Sequence, residues 1–307
     1  MSLVAVDLQG GLGNQLFQYA VGRALADAHG LPLALTTRLL ARAPTGRRYA
    51  LGAYPIRAML VTPDVLPEPG LVRRWAMRAG LRAPGRAPDT GPDLRGIPRI
   101  DEDDAAGCWD ARLATRRPPL LLRGYFQSPR YFASIATSLR EELVPTARPS
   151  EAARAVAERI AASGDASVSV HVRRGDYASD PRTRAVHGLL GRGYYDAATA
   201  AIEAAVPAAE WFVFTDDPAA ASAVVPSGPR RTIVSGRGLS DVEELALMRA
   251  CRHHVIANSS FSWWGAWLGA QGGVTVAPRR WFARSAESVI RDRFPTEWHV
   301  LDVEDPA

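Results

Sequence analysis

The chain has 307 residues, 47% hydrophobic and 22% charged, enough for one large or two medium cored domains and unlike a disordered or collagen-like chain. Its net charge of +5 is carried on the basic side by arginine alone, which suits an anionic small substrate or an anionic membrane surface; no compact arginine run interleaved with aromatics argues for nucleic acid. Cys108 and Cys251 lie far apart without a CxxC partner, so a disulfide framework and a zinc site are not expected and both read as reduced, packed thiols.

The N-terminus MSLVAVDLQGG has no basic n-region, and no stretch of 18 or more apolar residues occurs. The expectation is a cytoplasmic protein without a signal peptide or membrane span, with at most peripheral contact at the inner membrane face. The first 36 residues predict a β-α-β unit. Leu3–Leu8 is a strand, Gly10, Gly11 and Gly13 punctuate a turn, and Asn14–His29 carries apolar residues at helical spacing. Gly30 is placed to end that helix, and Leu31–Thr36 is the next strand. Residues 41–118 are less regular, and Arg82–Pro98 reads as a surface loop. Pro119–Phe126 predicts a buried strand and Ser128–Leu143 a helix, ended by Pro145 and Pro149, where a domain boundary is placed.

The second half alternates again. Helices are expected at 150–163, Tyr194–Val206, 240–251 and Ser260–Ala270, and strands at Ala166–Val172, Trp211–Thr215, Val255–Asn258 and Val274–Ala277. Alternation of this kind means parallel sheet covered by helices. The fold class is α/β, with two Rossmann-like units in tandem, 1–147 and 148–307, facing a cleft.

Three segments carry chemistry. His171-Val172-Arg173-Arg174-Gly175-Asp176-Tyr177 sits at the carboxyl end of a strand, where open α/β sheets bind ligands. Guanidinium forks match phosphate oxygens, and an arginine aimed at a diphosphate leaving group would stabilise its growing charge. A salt-bridged strand end is the plainer reading of such a run. In Asn258-Ser259-Ser260 a strand runs into small hydroxyl residues and then a helix, whose first-turn N–H groups and dipole suit a phosphate. Trp263, Trp264 and Trp267 behind it read as core. The loop Gly10-Gly11-Leu12-Gly13-Asn14-Gln15 departs from G-x-G-x-x-G; its glycines allow close approach to backbone, and Asn14 and Gln15 can read sugar hydroxyls. Around these, Asp216 either reaches the cleft or caps the following helix. Glu243 and Glu244 open a helix, where acids are favoured anyway. His187 and Tyr194 line the acceptor side or lie on the surface, and Asp103-Asp104 reads as solvated rather than as a metal motif.

Together HVRRGDY, GGLGNQLFQYAVGRAL and ANSSFSWWGAWL resemble glycosyltransferase family 11, chiefly α-1,2-fucosyltransferases, in order and over about residues 3–280. The resemblance implies a GT-B fold, an N-terminal acceptor domain, a C-terminal domain for GDP-fucose, inversion at the anomeric carbon, and no metal or other cofactor. It implies that His171 contacts the nucleotide, that Arg173 binds the β-phosphate, and that Ser259 and Ser260 join at the phosphates. Arg174 and Asn258 are counted with them on the donor side. Glu244 matches the position that binds guanine, where bacterial members usually show Asp. Gly11, Gly13, Asn14, Gln15 and His187 are assigned to the acceptor side or cleft. For the general base, Asp176 is the first candidate, then His187 and Asp180. The expected acceptor is a galactose-ended glycan. The alternatives are another activated deoxysugar, such as a rhamnosyl donor, or a non-catalytic nucleotide- or glycan-binding protein.

Overall fold

The computed structural model describes residues 2–42, 46–61, 94, 96–102, 109–175, 180–225, 230–283 and 290–303. The first half opens with β1 (Val4–Asp7), whose four side chains are all buried, as a parallel strand covered on both faces requires. Next comes α1 (Leu12–His29), which ends where Gly30 turns left-handed at φ +63°. It is buried almost continuously from Leu12 to Ala26, so it runs through the interior rather than over the surface. Then follow β2 (Leu33–Thr36), α2 (Arg38–Arg42), β3 (Met59–Val61), β4 (Arg99–Asp101), β5 (Leu120–Arg123) and α3 (Ala136–Glu142). The sheet is all parallel, in the order β3-β2-β1-β5-β4.

Two findings differ from the sequence expectation here. Short edge strands β3 and β4 come from the region read as irregular; each has only three residues and largely exposed side chains, so neither leaves an apolar period. The helix expected over Ser128–Leu143 is broken. Pro129–Ile135 is 3₁₀ and leaves helical geometry at Phe132 (φ −131°), and only α3 is α-helical. Phe132 is fully buried and stacks on Trp264 at 5.4 Å, so packing overrides the local helical pattern.

The second half runs α4 (Glu151–Ser163), β6 (Ser167–Val172), α5 (Pro181–His187), α6 (Arg192–Ala205), β7 (Glu210–Thr215), α7 (Pro218–Val224), β8 (Arg231–Ile233), α8 (Asp241–Ala250), β9 (His253–Val255), α9 (Ser260–Leu268), β10 (Thr275–Pro278) and β11 (His299–Leu301). Ser150 caps α4 by accepting from the Ala153 N–H, and Ser240 with Glu243 forms a reciprocal capping box on α8. The sheet is again parallel, in the order β11-β10-β9-β6-β7-β8, a Rossmann winding in which the direction reverses between β6 and β9. The first sheet reverses between β1 and β5. The molecule is thus the two-sheet α/β, GT-B-type architecture expected.

The halves share a core. Trp263, Trp264 and Trp267 of α9 bury against Phe17 of α1 and against Phe132, the structural role the sequence suggested for them. After β10 the chain also returns to the first half, where Ser128 donates to the Asp292 carbonyl at 2.5 Å and Arg130 pairs with the Asp292 carboxylate at 2.6 Å. Cys251 is buried and free, and burial pushes its thiol pKa up. Cys108, Asp103 and Asp104 fall outside the described residues, as does Arg82–Pro98 apart from Leu94 and residues 96–98. No described helix is long and apolar enough to cross a membrane.

Candidate active site at the seam between the sheets

The carboxyl ends of the two sheets meet because α1 starts just after β1 and α9 just after β9. A Cβ on Gly13 would lie 2.5 Å from both the Phe261 nitrogen and the Ser260 carbonyl carbon. The two helix N-termini are therefore in backbone contact, with glycine as the spacer. The expectation that Gly13 opens space for a ligand is corrected: the space it frees is filled by α9. Both helix starts lack an acidic residue in the first turn, so their positive dipole ends add at the seam.

Beside the seam, β6 delivers the HVRR segment at the reversal point of its sheet. His171 is buried, its Nδ1 has no partner among the described residues, and its ring packs against Phe261 at 5.8 Å. Burial, and then the Arg173 charge, lower its pKa to about 3, so the imidazole is neutral. Arg173 pairs with Asp216 at 2.9 Å and keeps 22% of its side chain exposed. The Arg174 N–H donates to the other Asp216 oxygen at 2.7 Å, and the buried Arg174 Nε has no partner among the described residues. A Cβ on Gly175 would stand 2.5 Å from Asp216 Oδ2, so a larger residue would displace this carboxylate. Asp216, at the end of β7, thus organises the arginine loop, which decides between the two roles left open for it. Asp176 lies outside the described residues.

On the other side of the reversal point, Ser259 caps α9 by accepting from the Phe261 N–H at 3.3 Å, and Ser260 begins the helix. Asn258, also grouped with the donor contacts, points its amide at the His187 and Trp281 carbonyls at 2.8 and 3.3 Å. That amide fixes the turn from behind. Glu244 on α8 is half-buried. Burial raises its carboxyl pKa to about 7 against a hydrogen bond from Ser235, with help from Asp241 and Asp216.

The acceptor-side candidates separate. Asn14 Oδ1 accepts from Gln127 Nε2 at 2.8 Å in the seam, and Gln127 in turn accepts from Arg293. Gly11 precedes α1 with the Arg47 guanidinium 3.6 Å from its missing Cβ. Gln15 is corrected: it donates to the Gly10 and Arg48 carbonyls, accepts from the Ala50 N–H and is fully buried, which takes its amide out of reach of a sugar. Gln15→Ala should therefore lower stability by about 2–4 kcal/mol in chemical denaturation through stranded backbone partners, and leave the acceptor KM of the folded fraction unchanged. His187 ends α5 with its ring against Phe282 at 5.5 Å. Asp180, the third base candidate, caps α5 through the Arg182 and Thr183 N–H groups and the Thr183 hydroxyl. The Thr183 hydroxyl, first, and those N–H groups lower its pKa, which makes it a poorer base. Tyr194 is buried and donates to the Ile256 carbonyl, so it is not an acceptor contact. Among the described residues no three His, Cys, Asp or Glu side chains group as a metal site.

Residues 115–302, more than half of the chain, match the model of Glycosyl transferase family 11. The chain belongs to glycosyltransferase family 11. Both chemistry-bearing ends of the seam from β6 onward fall inside the matched region. The chain is 28% identical over 305 residues to an alpha-1,2-colitosyltransferase of Escherichia coli, covering 97% of this chain and 98% of that one. It is 36% identical over 129 residues to the Escherichia coli O-antigen biosynthesis glycosyltransferase WbnK, covering 40% of this chain and 42% of that one. A solved structure of the fucosyltransferase NodZ from Bradyrhizobium aligns with 14% identity and a TM-score of 0.46, over 88% of this chain and 93% of that one.

Sequence reasoning missed the Glu102 contact with the loop after β5. Its carboxylate accepts from the Tyr125 and Phe126 N–H groups at the end of β5, across 23 residues of chain, and no local motif announces such a contact.

Proposed function

We propose that this family 11 glycosyltransferase transfers L-fucose from GDP-β-L-fucose to a galactoside hydroxyl, with inversion and in α-1,2 linkage. The carrying observation is that Arg173, the buried His171 Nδ1, which has no partner among the described residues, and the N-terminus of α9 lie at one reversal point. These groups suit a nucleoside diphosphate whose charge grows as the sugar bond breaks. Arg173, steered by Asp216, neutralises that charge, and the α9 N-terminus faces the phosphates with Ser259 and Ser260. His171 is neutral and adds a hydrogen-bonding nitrogen without a second charge. In-line attack by the acceptor hydroxyl then proceeds through an oxocarbenium-like state, with Asp176 taking the proton. No divalent metal takes part in this scheme: EDTA should leave the rate within about twofold, and a rate abolished by EDTA and restored by a metal would contradict it.

Glu244 binds guanine in this reading, its carboxylate accepting the N1 and exocyclic N–H groups. With a pKa of about 7 in the free protein, it is half-protonated near neutrality. GDP affinity should therefore rise from pH 6 to pH 8 in titration calorimetry, and Glu244→Gln should flatten the profile. The stability sign is opposite. The folded pKa lies above the ordinary 4.5, so the contribution of this group is full below 4.5 and is lost as pH rises through about 7. A pH-independent GDP affinity in the wild type would remove Glu244 from the guanine site.

A second reading is favoured by the full-length relative named for colitosyl transfer. Colitose is fucose without its C3 hydroxyl, so the same phosphate and guanine contacts serve both donors. Parallel kcat/KM values for GDP-fucose and GDP-colitose separate the readings. A site that hydrogen-bonds the C3 hydroxyl should reject the deoxy donor strongly, whereas a site without such a group should accept it.

A further inference from the structure

The first sheet reverses between β1 and β5, and ligands of parallel sheets sit outside the carboxyl ends of the strands at such a point. Gln18 and Asn14, both on α1, bridge the two loops there and end in different states. Gln18 is fully buried and used up. Its Oε1 accepts from the Gln9 N–H at 3.0 Å and its Nε2 donates to the Gly124 carbonyl at 2.9 Å, which ties the loop after β1 to the loop after β5. Asn14, one helical turn closer to the start of α1, is half-buried. Its Oδ1 accepts from Gln127, in the loop after β5, at 2.8 Å. Its Nδ2 lies over the loop after β1, 2.4 Å from where a Cβ on Gly10 would stand, and has no acceptor among the described residues.

The orientation of that amide is not a local choice. Arg293 donates to Gln127 Oε1. A guanidinium can only donate, so Gln127 must turn its oxygen to Arg293 and its NH2 to Asn14. Asn14 must then turn its oxygen to Gln127, and its own NH2 is the group shown to the crevice. Arg293 is itself held in place. It is buried, its guanidinium lies 5.0 Å from the Trp281 ring centre and 5.3 Å from that of Phe282, and its carbonyl accepts from Trp263 Nε1 at 3.0 Å. It belongs to the segment after β10 that returns to the first half, where Asp292 meets Ser128 and Arg130. We infer that Asn14 reads a hydrogen-bond-accepting oxygen of the substrate, and that Arg293, acting through Gln127, is the positioning residue that fixes Asn14 as a donor. That oxygen belongs to the acceptor sugar or to the diphosphate of the donor, since both accept from N–H. The second half of the chain thereby sets the polarity of a group on the first. The inference rests on the seam being the substrate site, and not on which sugar is transferred.

The test is NMR on protein labelled with nitrogen-15 at asparagine alone. The chain has two asparagines, Asn14 and Asn258, so two side-chain amide signals are expected, and Asn14→Ala identifies its own by removing it. Spectra are taken with GDP, with lactose, N-acetyllactosamine or methyl β-D-galactoside, and with GDP and each sugar together. The Asn14 amide should shift with a sugar if the oxygen is on the acceptor, and with GDP alone if it is on the diphosphate. Gln127→Glu is the deciding variant. A carboxylate of the same size keeps the Arg293 contact but only accepts, so Asn14 must give it the NH2 and turn its oxygen outward. Affinity for the probe that shifts Asn14 should fall about tenfold, the scale of one hydrogen bond lost, while the melting temperature holds. Arg293→Lys is still only a donor, so it should bind that probe better than Gln127→Glu despite a lower melting temperature. A merely structural contact would give the reverse order, because Gln127→Glu preserves it and Arg293→Lys disturbs it. No shift of the Asn14 amide with any probe, full affinity in Gln127→Glu, or that reverse order overturns the inference. An Asn14 shift that Gln127→Glu abolishes, in protein that does not turn over GDP-fucose, supports it and counts against the donor reading alone.

Discussion

Arg173→Ala is expected to lower turnover by about a hundredfold or more, with the melting temperature close to wild type. The guanidinium is held at 2.9 Å by Asp216 and is only 22% exposed, so it is already oriented before substrate arrives. A preorganised cation aimed at a departing diphosphate acts mainly in the transition state, and losing one such donor lowers kcat by about two to three orders of magnitude. Arg173→Lys should recover only part of the loss, since an ammonium does not reproduce the bidentate fork. Asp216→Asn should fall between, because it removes the ion pair but keeps an acceptor for the Arg174 N–H. GDP-release kinetics on variants checked by thermal melting give the answer. Wild-type turnover in Arg173→Ala would remove the arginine from the leaving-group site.

Gly13→Ala is the second large effect, and its cause is steric. The added methyl meets the backbone of Ser260 and Phe261 at 2.5 Å, and backbone cannot rotate aside as a side chain can. The N-termini of α1 and α9 must separate, at about 1–3 kcal/mol of stability by the usual scale of overpacking. Because the displaced turn also carries Ser259 and Ser260, turnover should fall more than tenfold even below the melting transition. Gly11→Ala is the steric comparison. Gly11 has an ordinary φ of −80° and, among the described residues, only the Arg47 guanidinium lies within 4 Å of the added atom, so stability should hold. Equal, mild effects at both positions, measured by denaturation and steady-state kinetics, would contradict the direct helix contact.

The difference between these two glycines marks how far sequence alone could reach. The buried strands β1 and β5 were legible as short apolar runs, and β6 by its alternating Val168, Val170 and Val172. The positions of the HVRR and ANSS segments were legible because the apolar period of a strand stops at Arg173, and a strand gives way to helix-capping serines at Ser259. What sequence could not supply was which polar groups are already satisfied. Asn14 and Gln15 look alike as sugar readers, yet Gln15 is fully buried on three backbone partners while Asn14 sits in the seam. Asn258 and Asp180 likewise look available on paper and are engaged with backbone in the fold. Asp216 was ambiguous because capping and ion pairing use the same residue type at the same place; only the 2.9 Å pairing with Arg173 decides it. The Glu102 clamp joins elements with no shared local pattern, and β4, which delivers Glu102, is a three-residue edge strand with no detectable period.

The most direct measurement of the central claim is acceptor-dependent GDP release from GDP-fucose, with lactose and a small galactoside panel as acceptors. Release should rise with acceptor and be lost in Arg173→Ala, with an α-1,2-linked fucosyl product. Neither release nor a GDP-induced thermal shift, in protein shown to be folded, would contradict the donor assignment and return the question to which activated sugar this family 11 chain uses.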